Sequence, residues 1–402
     1  MTDHRRLFAG EPLWLASRRT VPCHPLSQST SADVVIVGAG ISGAFMAHAL
    51  ARRFKKVLVI DRRQPVDGST VASTSLLQFE IDQPLIHLAD KVGWVNARAA
   101  WRRSFEATRS LARLVHRHRL RCGFAPRETL YLAGDSLGHR ALAAEAAART
   151  RAGLPGDYLS GATLRERFDI DRTGAILSSG SAVADPVQLT TALLRGAIVR
   201  GVRIRCPAEV VGIDANGAGV TLQVDDHVVQ CRHAIFCTGY ELLKGIPKRG
   251  TRVSTTWAIA SEAATPRPAW LDRMLVWEAS DPYLYMRSIA GGHVIVGGED
   301  EKADDTTSAR ERLTAKSRVL VRKAEALLPA LDLTVSHRWT APFGESTTGL
   351  PFIDRVPDMP GCYAVMGFGG NGITYSMIAS QIVPTLIAGR PDPDARLYRF
   401  GR

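Results

Sequence analysis

The sequence predicts an α/β fold in which a parallel-sheet unit is interrupted by a second, α+β unit, and three observations carry that expectation. The run "ADVVIVGAGISGAFMAHALARRFKKVLVIDRR" at 32–63 reads as strand, glycine turn, helix and strand. Residues 251–296 alternate as strands with one packed face do, a pattern that belongs to an antiparallel or mixed sheet. A second strand, glycine turn and helix follows at 362–389, in "CYAVMGFGGNGITYSMIASQIVPTLIAG". With 402 residues the chain exceeds a single typical core, so two domains or one interrupted domain is expected.

Residues 1–31, rich in proline and serine towards their end, read as an extended arm. Arg5 and Arg6 are not expected to open an export signal, because no apolar run follows before Arg18 and Arg19. Between Asp33 and Arg52 lie eighteen uncharged residues, a length that raises the question of a bilayer span. Glycines at 38, 40 and 43 answer it: 34–37 is a β-branched strand, 41–53 a helix, and 57–60 a second strand ending on Asp61. Gly38 permits a tight turn, Gly40 lets the backbone approach a pyrophosphate, and Gly43 lets helix and strand pack closely. The helix N-terminus then faces phosphate, and Asp61 is placed to accept from a ribose hydroxyl.

The following stretch, "RRQPVDGSTVASTSLLQFEIDQPL", reads as a connector offering backbone donors. Helical patterns dominate to about residue 150; 178–204 offers a turn at Asp185 and Pro186, then a helix and a strand. "AEVVGID", "GVTLQV" and "HAIFCTGY" alternate like strands of a small sheet, "STTWAIASE", "YLYMRSI" and "HVIVGGED" like those of another, and 306–330 reads as a helix. Gly367, Gly369 and Gly372 repeat the glycine spacing, but no strand ending on an acid follows them. They are expected to bring a second helix N-terminus to the same ligand.

The formal charge of +12 and the basic stretch 98–121 raise a nucleic-acid reading. In that stretch Trp101, Phe105, Leu111, Leu114 and Val115 recur at helical spacing, which predicts a buried stripe under a solvated basic face. No nucleic-acid motif accompanies it, so no such partner is expected. Six scattered cysteines show neither CxxC nor metal spacing, which argues against a disulfide framework and a metal site and for a reducing cytoplasm. His48 and His293 are expected to pack or lie on the surface.

These residues resemble the D-amino-acid oxidase superfamily of FAD-dependent amine and amino-acid oxidoreductases, which includes glycine oxidase, sarcosine oxidase and γ-glutamylputrescine oxidase. The likeness covers nearly the whole chain and rests on "DVVIVGAGISG", "VIDRR" with "GSTVASTSLL", "ADPVQL", "CTGY" and "TTGLPFIDRVPDMPGCYAVMGFGGNGIT". It implies a Rossmann-type, GR2-like FAD-binding domain, interrupted, with an inserted α+β substrate domain built on an antiparallel or mixed sheet. Expected boundaries are an arm at 1–31, the FAD-binding domain at 32–83, 165–250 and 345–402, a helical part of the substrate domain at 84–164 and its sheet at 251–344.

Carried over residue by residue, the resemblance implies Gly38, Gly40, Ile41, Ser42 and Gly43 at the pyrophosphate and Asp61, Arg62 and Arg63 at the adenosine end. It implies Ser69, Thr70, Ser73 and Thr74 along the way to the ring, Val210, Thr238 and Gly239 as further contacts, and Gly367, Gly369, Asn371, Gly372, Ile373 and Thr374 beside the flavin. No cysteine lies near "FGESTTGLP", where sarcosine oxidases attach their flavin, so the FAD is expected to be non-covalent. Asn371 stands where many members have histidine, and Thr348 where "DGLP" is frequent.

FAD supplies the redox chemistry and the protein binds, orients and excludes water. The resemblance implies hydride transfer from the carbon next to a neutral amine, then imine hydrolysis, with oxygen or an electron-transfer acceptor as the second partner. A substrate carboxylate would call for a planar guanidinium, for which Arg287 and Arg338 are the candidates. Tyr285, with Tyr283, is a candidate for the pocket wall, and Asn371 for the reacting end. Two alternatives stay open: a dehydrogenase of a 2-hydroxy acid or another small reductant, and a flavoprotein with a binding or RNA-modification role. Substrate identity and oligomeric state are open as well.

Overall fold

The computed structural model describes residues 7–241, 245–247, 250–302 and 306–402. Val34, Val35, Ile36 and Val37 are all buried, although successive side chains of a strand point to opposite faces. Only a strand covered on both sides satisfies that. Thr30–Val37 accordingly pairs in parallel with Val57–Ile60 on one edge and His227–Phe236 on the other. Arg203–Arg205 and Cys362–Met366 extend this parallel core, and Phe352–Arg355 closes it antiparallel. Val210–Asn216 and Gly219–Val224 meander onto His227–Phe236, giving eight strands among the described residues.

Helices Ile41–Leu50, Pro186–Ile198 and Gly372–Ile387 share one hydrophobic core with the sheet face carrying Val34, Ile36, Val57 and Val59. A Cβ at Gly43 would collide with the Gly38 carbonyl oxygen, so the close helix–strand approach expected of this glycine is what the backbone shows. Pro186–Ile198 starts where the sequence indicates: the Asp185 carboxylate accepts from Val187 N and Gln188 N, each at 2.9 Å, and Pro186 occupies the first turn. In helix Trp94–His118, Trp101, Leu111 and Val115 are buried as the stripe predicts. Among the described residues no helix is long and apolar enough to cross a membrane.

The second sheet has ten strands among the described residues. From Ala9–Gly10 the path runs through Val335–Ser346, Thr251–Ser261, Val294–Lys302, Leu284–Ser288, Met274–Glu278 and Ala125–Leu132 to Gly174–Val183 and Leu76–Leu77, with Asp157–Ser160 beside Gly174–Val183. All pairings are antiparallel except Met274–Glu278 with Ala125–Leu132. Helix Thr306–Leu327 buries Leu313, Leu320, Ala324 and Leu327 on one face.

Three expectations are corrected here. Gly174–Val183, expected inside the cofactor-binding domain, belongs to this second sheet; its Ser-Ser-Gly-Ser centre hides the strand alternation. The segment 84–164, expected to be helical, contributes strands Ala125–Leu132 and Asp157–Ser160. Cys23 and Cys206 form a disulfide, 183 positions apart, that ties the N-terminal segment to the end of Arg203–Arg205. A pair so far apart leaves no local spacing signal, and the cysteine argument for a reducing compartment falls with it. The other four cysteines are free and buried.

Beneath the helices, Arg149 is fully buried between the rings of Trp101 and Tyr131 and donates through Nε to Glu145, 2.9 Å away. Glu145 also accepts from Leu85 N and Ile86 N at 3.0 Å, so it anchors the start of helix Leu85–Val92. Arg149→Met strands that carboxylate in the core and is expected to destabilise the protein by about 3–5 kcal/mol. Urea unfolding of the variant beside the parent measures the loss, and a change within about 1 kcal/mol would contradict it.

Candidate active site

Val37, Ile60, Cys237 and Gly367, at the carboxyl ends of four parallel strands, open onto a cavity of about 770 Å³ whose far wall is the uncovered face of the second sheet. A ligand is expected at that edge of a parallel sheet, and the size suits a large cofactor with a small substrate. Gly38 turns the chain at φ +114°. Ile41 N donates to Thr70 Oγ1 at 3.0 Å, and a Cβ at Gly40 would stand 3.1 Å from that oxygen. The floor between Gly40 and the cavity is therefore bare backbone.

Asp61 accepts from Ala39 N at 2.6 Å and from Arg63 N at 2.8 Å, so its carboxylate braces the glycine turn as well as lining the cavity. Burial pushes its pKa up. Arg62 and Arg63 both pair with Glu241, Arg63 Nη1 at 2.7 Å, and Arg62 also reaches Glu209 at 3.5 Å. Val210, Thr238 and Gly239 line the same end. Thr238 Oγ1 is buried with no hydrogen-bond partner among the described residues, and at Gly239, φ +64°, the space where a Cβ would stand is open. An orphaned hydroxyl and a bare glycine on one wall fit a polar group of a bound dinucleotide.

The segment running from Ser69 between the two sheets has its carbonyls claimed by distant side chains. Trp339 Nε1 donates to Ala72 O at 2.9 Å, Trp14 Nε1 to Ser73 O at 2.7 Å, and Arg287 Nε to Thr74 O at 2.7 Å. Thr374 Oγ1 donates to Gln78 O at 2.8 Å and Asn371 Nδ2 to Glu80 O at 2.5 Å. Two predicted roles are corrected by these bonds. Arg287, 1% exposed, also donates to Ala184 O at 3.3 Å and lies outside this cavity, so its guanidinium holds backbone where a substrate carboxylate was expected. It shares the strand face of Tyr283 and Tyr285, but two residues further along that face is covered by the Thr74 and Ala184 backbone. Thr374 likewise does not line the cavity, nor does Gly43.

Arg338 is the third correction. On Val335–Ser346, Trp339 and Ala341 line the cavity, so the alternation of the strand turns Arg338 to the opposite face. Ser42, Ser69, Thr70, Ser73, Thr74, Gly367, Gly369, Asn371, Gly372, Ile373 and Tyr285 do line it. Ser42 Oγ is also 2.7 Å from Ser376 Oγ, linking the two helices whose N-termini meet here.

Sequence reasoning missed two acids that line the cavity, Asp82 and Asp300. Asp82 is exposed, but the surface it reaches is the cavity's; its Oδ2 accepts from Gly370 N at 2.7 Å, and any side chain at Gly369 or Gly370 would displace it. Asp300 lines the opposite wall beside Tyr283, and its Oδ1 is buried without a partner. Burial first, with repulsion from neighbouring carboxylates, raises both pKa values to about 6. Glu345 pairs with Arg252 at 2.9 Å. Burial also raises the Tyr285 phenol to about 12.

Comparison with known proteins adds the lineage. The family described as "FAD dependent oxidoreductase" matches residues 33–384. Gamma-glutamylputrescine oxidoreductase of Escherichia coli (strain K12) is 22% identical over 405 residues, covering 97% of this chain and 90% of that protein. The tRNA 5-methylaminomethyl-2-thiouridine biosynthesis bifunctional protein MnmC of Burkholderia thailandensis is 23% identical over 421 residues; the match covers 97% of this chain and 62% of that longer protein. The crystal structure of glycine oxidase from Geobacillus kaustophilus superposes with a TM-score of 0.73 at 18% identity, covering 92% of this chain and 99% of that one.

Two outcomes follow from the bonds around the cavity. Arg287→Lys leaves at least one buried carbonyl unsatisfied, which costs about 1–3 kcal/mol. A lowered Tm is expected, with equal losses on substrates that have a carboxylate and those that lack one; a loss confined to carboxylated substrates would restore the recognition role. Asp82 binds its proton more tightly folded than unfolded, so its charge destabilises the fold above about pH 6 and ceases to do so as pH falls towards 4. Asp82→Asn is therefore expected to raise the Tm of the cofactor-free protein at pH 7.5 and to lose that advantage near pH 4, by differential scanning calorimetry at both pH values.

Proposed function

The chain belongs to the DAO family of FAD-dependent oxidoreductases, and from that premise we propose that it oxidises the carbon–nitrogen bond of an amine or amino acid with a non-covalently held FAD. The observation that carries this reading is one continuous cavity running from the bare glycine turn to the wall formed by Tyr283 and Tyr285. Bound FAD would supply the hydride acceptor for oxidation of the carbon bearing a neutral amine, to an imine that water would then hydrolyse.

The remaining tasks fall to this chain. Gly38, Gly40 and Ser42, at the N-terminus of Ile41–Leu50, are the residues that would hold the pyrophosphate, with Asp61 and Thr238 towards the adenosine side and Gly367–Ile373 beside the ring. Trp339, Trp277 and Tyr131 supply aromatic wall that excludes water. With its pKa near 12, Tyr285 stays protonated through the neutral range and serves as wall and donor, with no role as a base. Hydride transfer from a neutral amine needs no nucleophile, and burial pushes the thiol of Cys237, the cysteine lining the cavity among the described residues, up to about 12.

Acid or heat is expected to release FAD into the supernatant, because no cysteine lies in or next to "FGESTTGLP". Flavin that stays with the precipitate overturns the non-covalent reading. Gly40→Val, which fills the path beside Thr70, is expected to leave a folded protein with near-zero flavin occupancy, read from the absorbance ratio of flavin to protein. For the reaction, anaerobic bleaching of the flavin is the measurement. Bleaching by a 2-hydroxy acid and by no amine or amino acid would displace C–N oxidation, and recovery of colour with air or only with a dye separates oxidase from dehydrogenase.

A further inference from the structure

The charge pattern of the cavity is lopsided in a way that FAD binding alone does not require. At the adenosine end, acids and bases are matched: Glu241 and Glu209 meet Arg62 and Arg63. At the substrate end the only arginine or lysine lining the cavity among the described residues is Arg252, and it is spent on Glu345; His87 lines the cavity as well. Asp82 and Asp300 have no ion-pair partner among the described residues, nor has Asp281, whereas several other acids of the cavity do. Glu278 pairs with Arg172 at 2.7 Å, and Glu301 with Lys316 and Arg312.

Two carboxylates left uncompensated inside a walled cavity are costly unless something else neutralises them. The Thr256 and Tyr283 hydroxyls reach the Asp300 carboxylate, but its buried Oδ1 has no donor among the described residues, which marks where one is missing. The arrangement does not suit a metal, since no set of three or more Asp, Glu, His or Cys groups among the described residues is placed to hold one. Nor does it suit a substrate carboxylate, which would meet like charge from Asp82, Asp300 and Glu345, with Arg287 and Arg338 both outside. Glycines at 369 and 370 matter here, because they make the room that Asp82 occupies.

Resting on the C–N oxidation proposed above, we infer that the substrate is an amine bearing at least one further positive charge and no carboxylate, of the diamine or polyamine class, with Asp82 and Asp300 as its specificity-determining partners. One nitrogen, neutral, presents its C–H bond for oxidation; the distant ammonium sits between the two carboxylates and fixes which carbon is presented. Focusing of the field by the walls also concentrates such cations in the cavity.

The test uses the FAD-loaded protein and two readouts. Anaerobic bleaching compares 1,4-diaminobutane and spermidine with butylamine, glycine and N-methylglycine. Binding without turnover is read from the shift of the flavin spectrum on titration with a bis-quaternary diammonium, which lacks the lone pair needed for oxidation. The expected result is a kcat/KM for the diamines at least tenfold above that for butylamine, and weakest bleaching by the amino acids. Asp82→Asn and Asp300→Asn should each raise KM for diamines about tenfold and collapse the diamine-to-monoamine ratio, with smaller effects on kcat. Both should also weaken the bis-quaternary probe to match.

Fastest bleaching by a carboxylated amine with no binding of the probe overturns this inference and leaves C–N oxidation standing. Tight probe binding that both Asn variants abolish, with no amine bleaching the flavin, does the reverse: the cation site stands and C–N oxidation falls. Equal losses on all substrates in the Asn variants would assign the two acids to the fold and overturn their role in specificity.

Discussion

Everything at this site hangs on five carbonyls. The chain from Ala72 to Glu80 passes between two sheets and contributes to them only the short Leu76–Leu77, so most of its backbone must find partners elsewhere. It finds them on Trp339, Trp14, Arg287, Thr374 and Asn371. Those donors come from the N-terminal segment, the second sheet and the C-terminal helix with its cap, so one short crossing registers these layers against one another.

The electrostatics divide along the same crossing. On one side Arg62 and Arg63 lock the turn after Thr238 to the end of Val57–Ile60 through Glu241, a matched and rigid arrangement. On the other, Glu80 lines the cavity but spends its carboxylate on Thr129 and on Ser181 at 3.1 Å, with Arg149 at 3.9 Å. Asp82, two residues later on the same strand-like path, has only Gly370 N. Acids of the same type, two positions apart, thus differ in being satisfied by the fold or left open to the cavity.

Much of the cofactor end was legible because its geometry is local. Gly38, Gly40 and Gly43 act within six residues, and Asp61 closes the adjoining strand, so spacing alone located the turn, and Val57–Ile60 runs between the bounds read from sequence. The substrate end was not legible, because what decides it is non-local. Arg287 resembled a carboxylate anchor until the fold laid Thr74 and Ala184 against it. Arg338 differs from Trp339 only by strand parity, which "SHRWTAPFGE" does not disclose without its neighbours. Asp82 and Asp300 lie 218 positions apart, and Gly174–Val183 changes sheet for reasons visible only in its partners.

The parallel core carries a consequence for how the chain comes to be folded during synthesis. Thr30–Val37 pairs with His227–Phe236, which in turn pairs with Cys362–Met366, so early strands wait for partners made some two hundred and then more than a hundred residues later. Such long-range pairing is slow, since loops must close before contacts reward them. A ribosome therefore holds an apolar, half-paired sheet until residues 362–387 arrive, and the same helix that completes the ring end of the pocket ends that exposure. Unpaired strand edges and apolar surface of that kind are where a folding chain is open to aggregation, and the last layer is what closes them here.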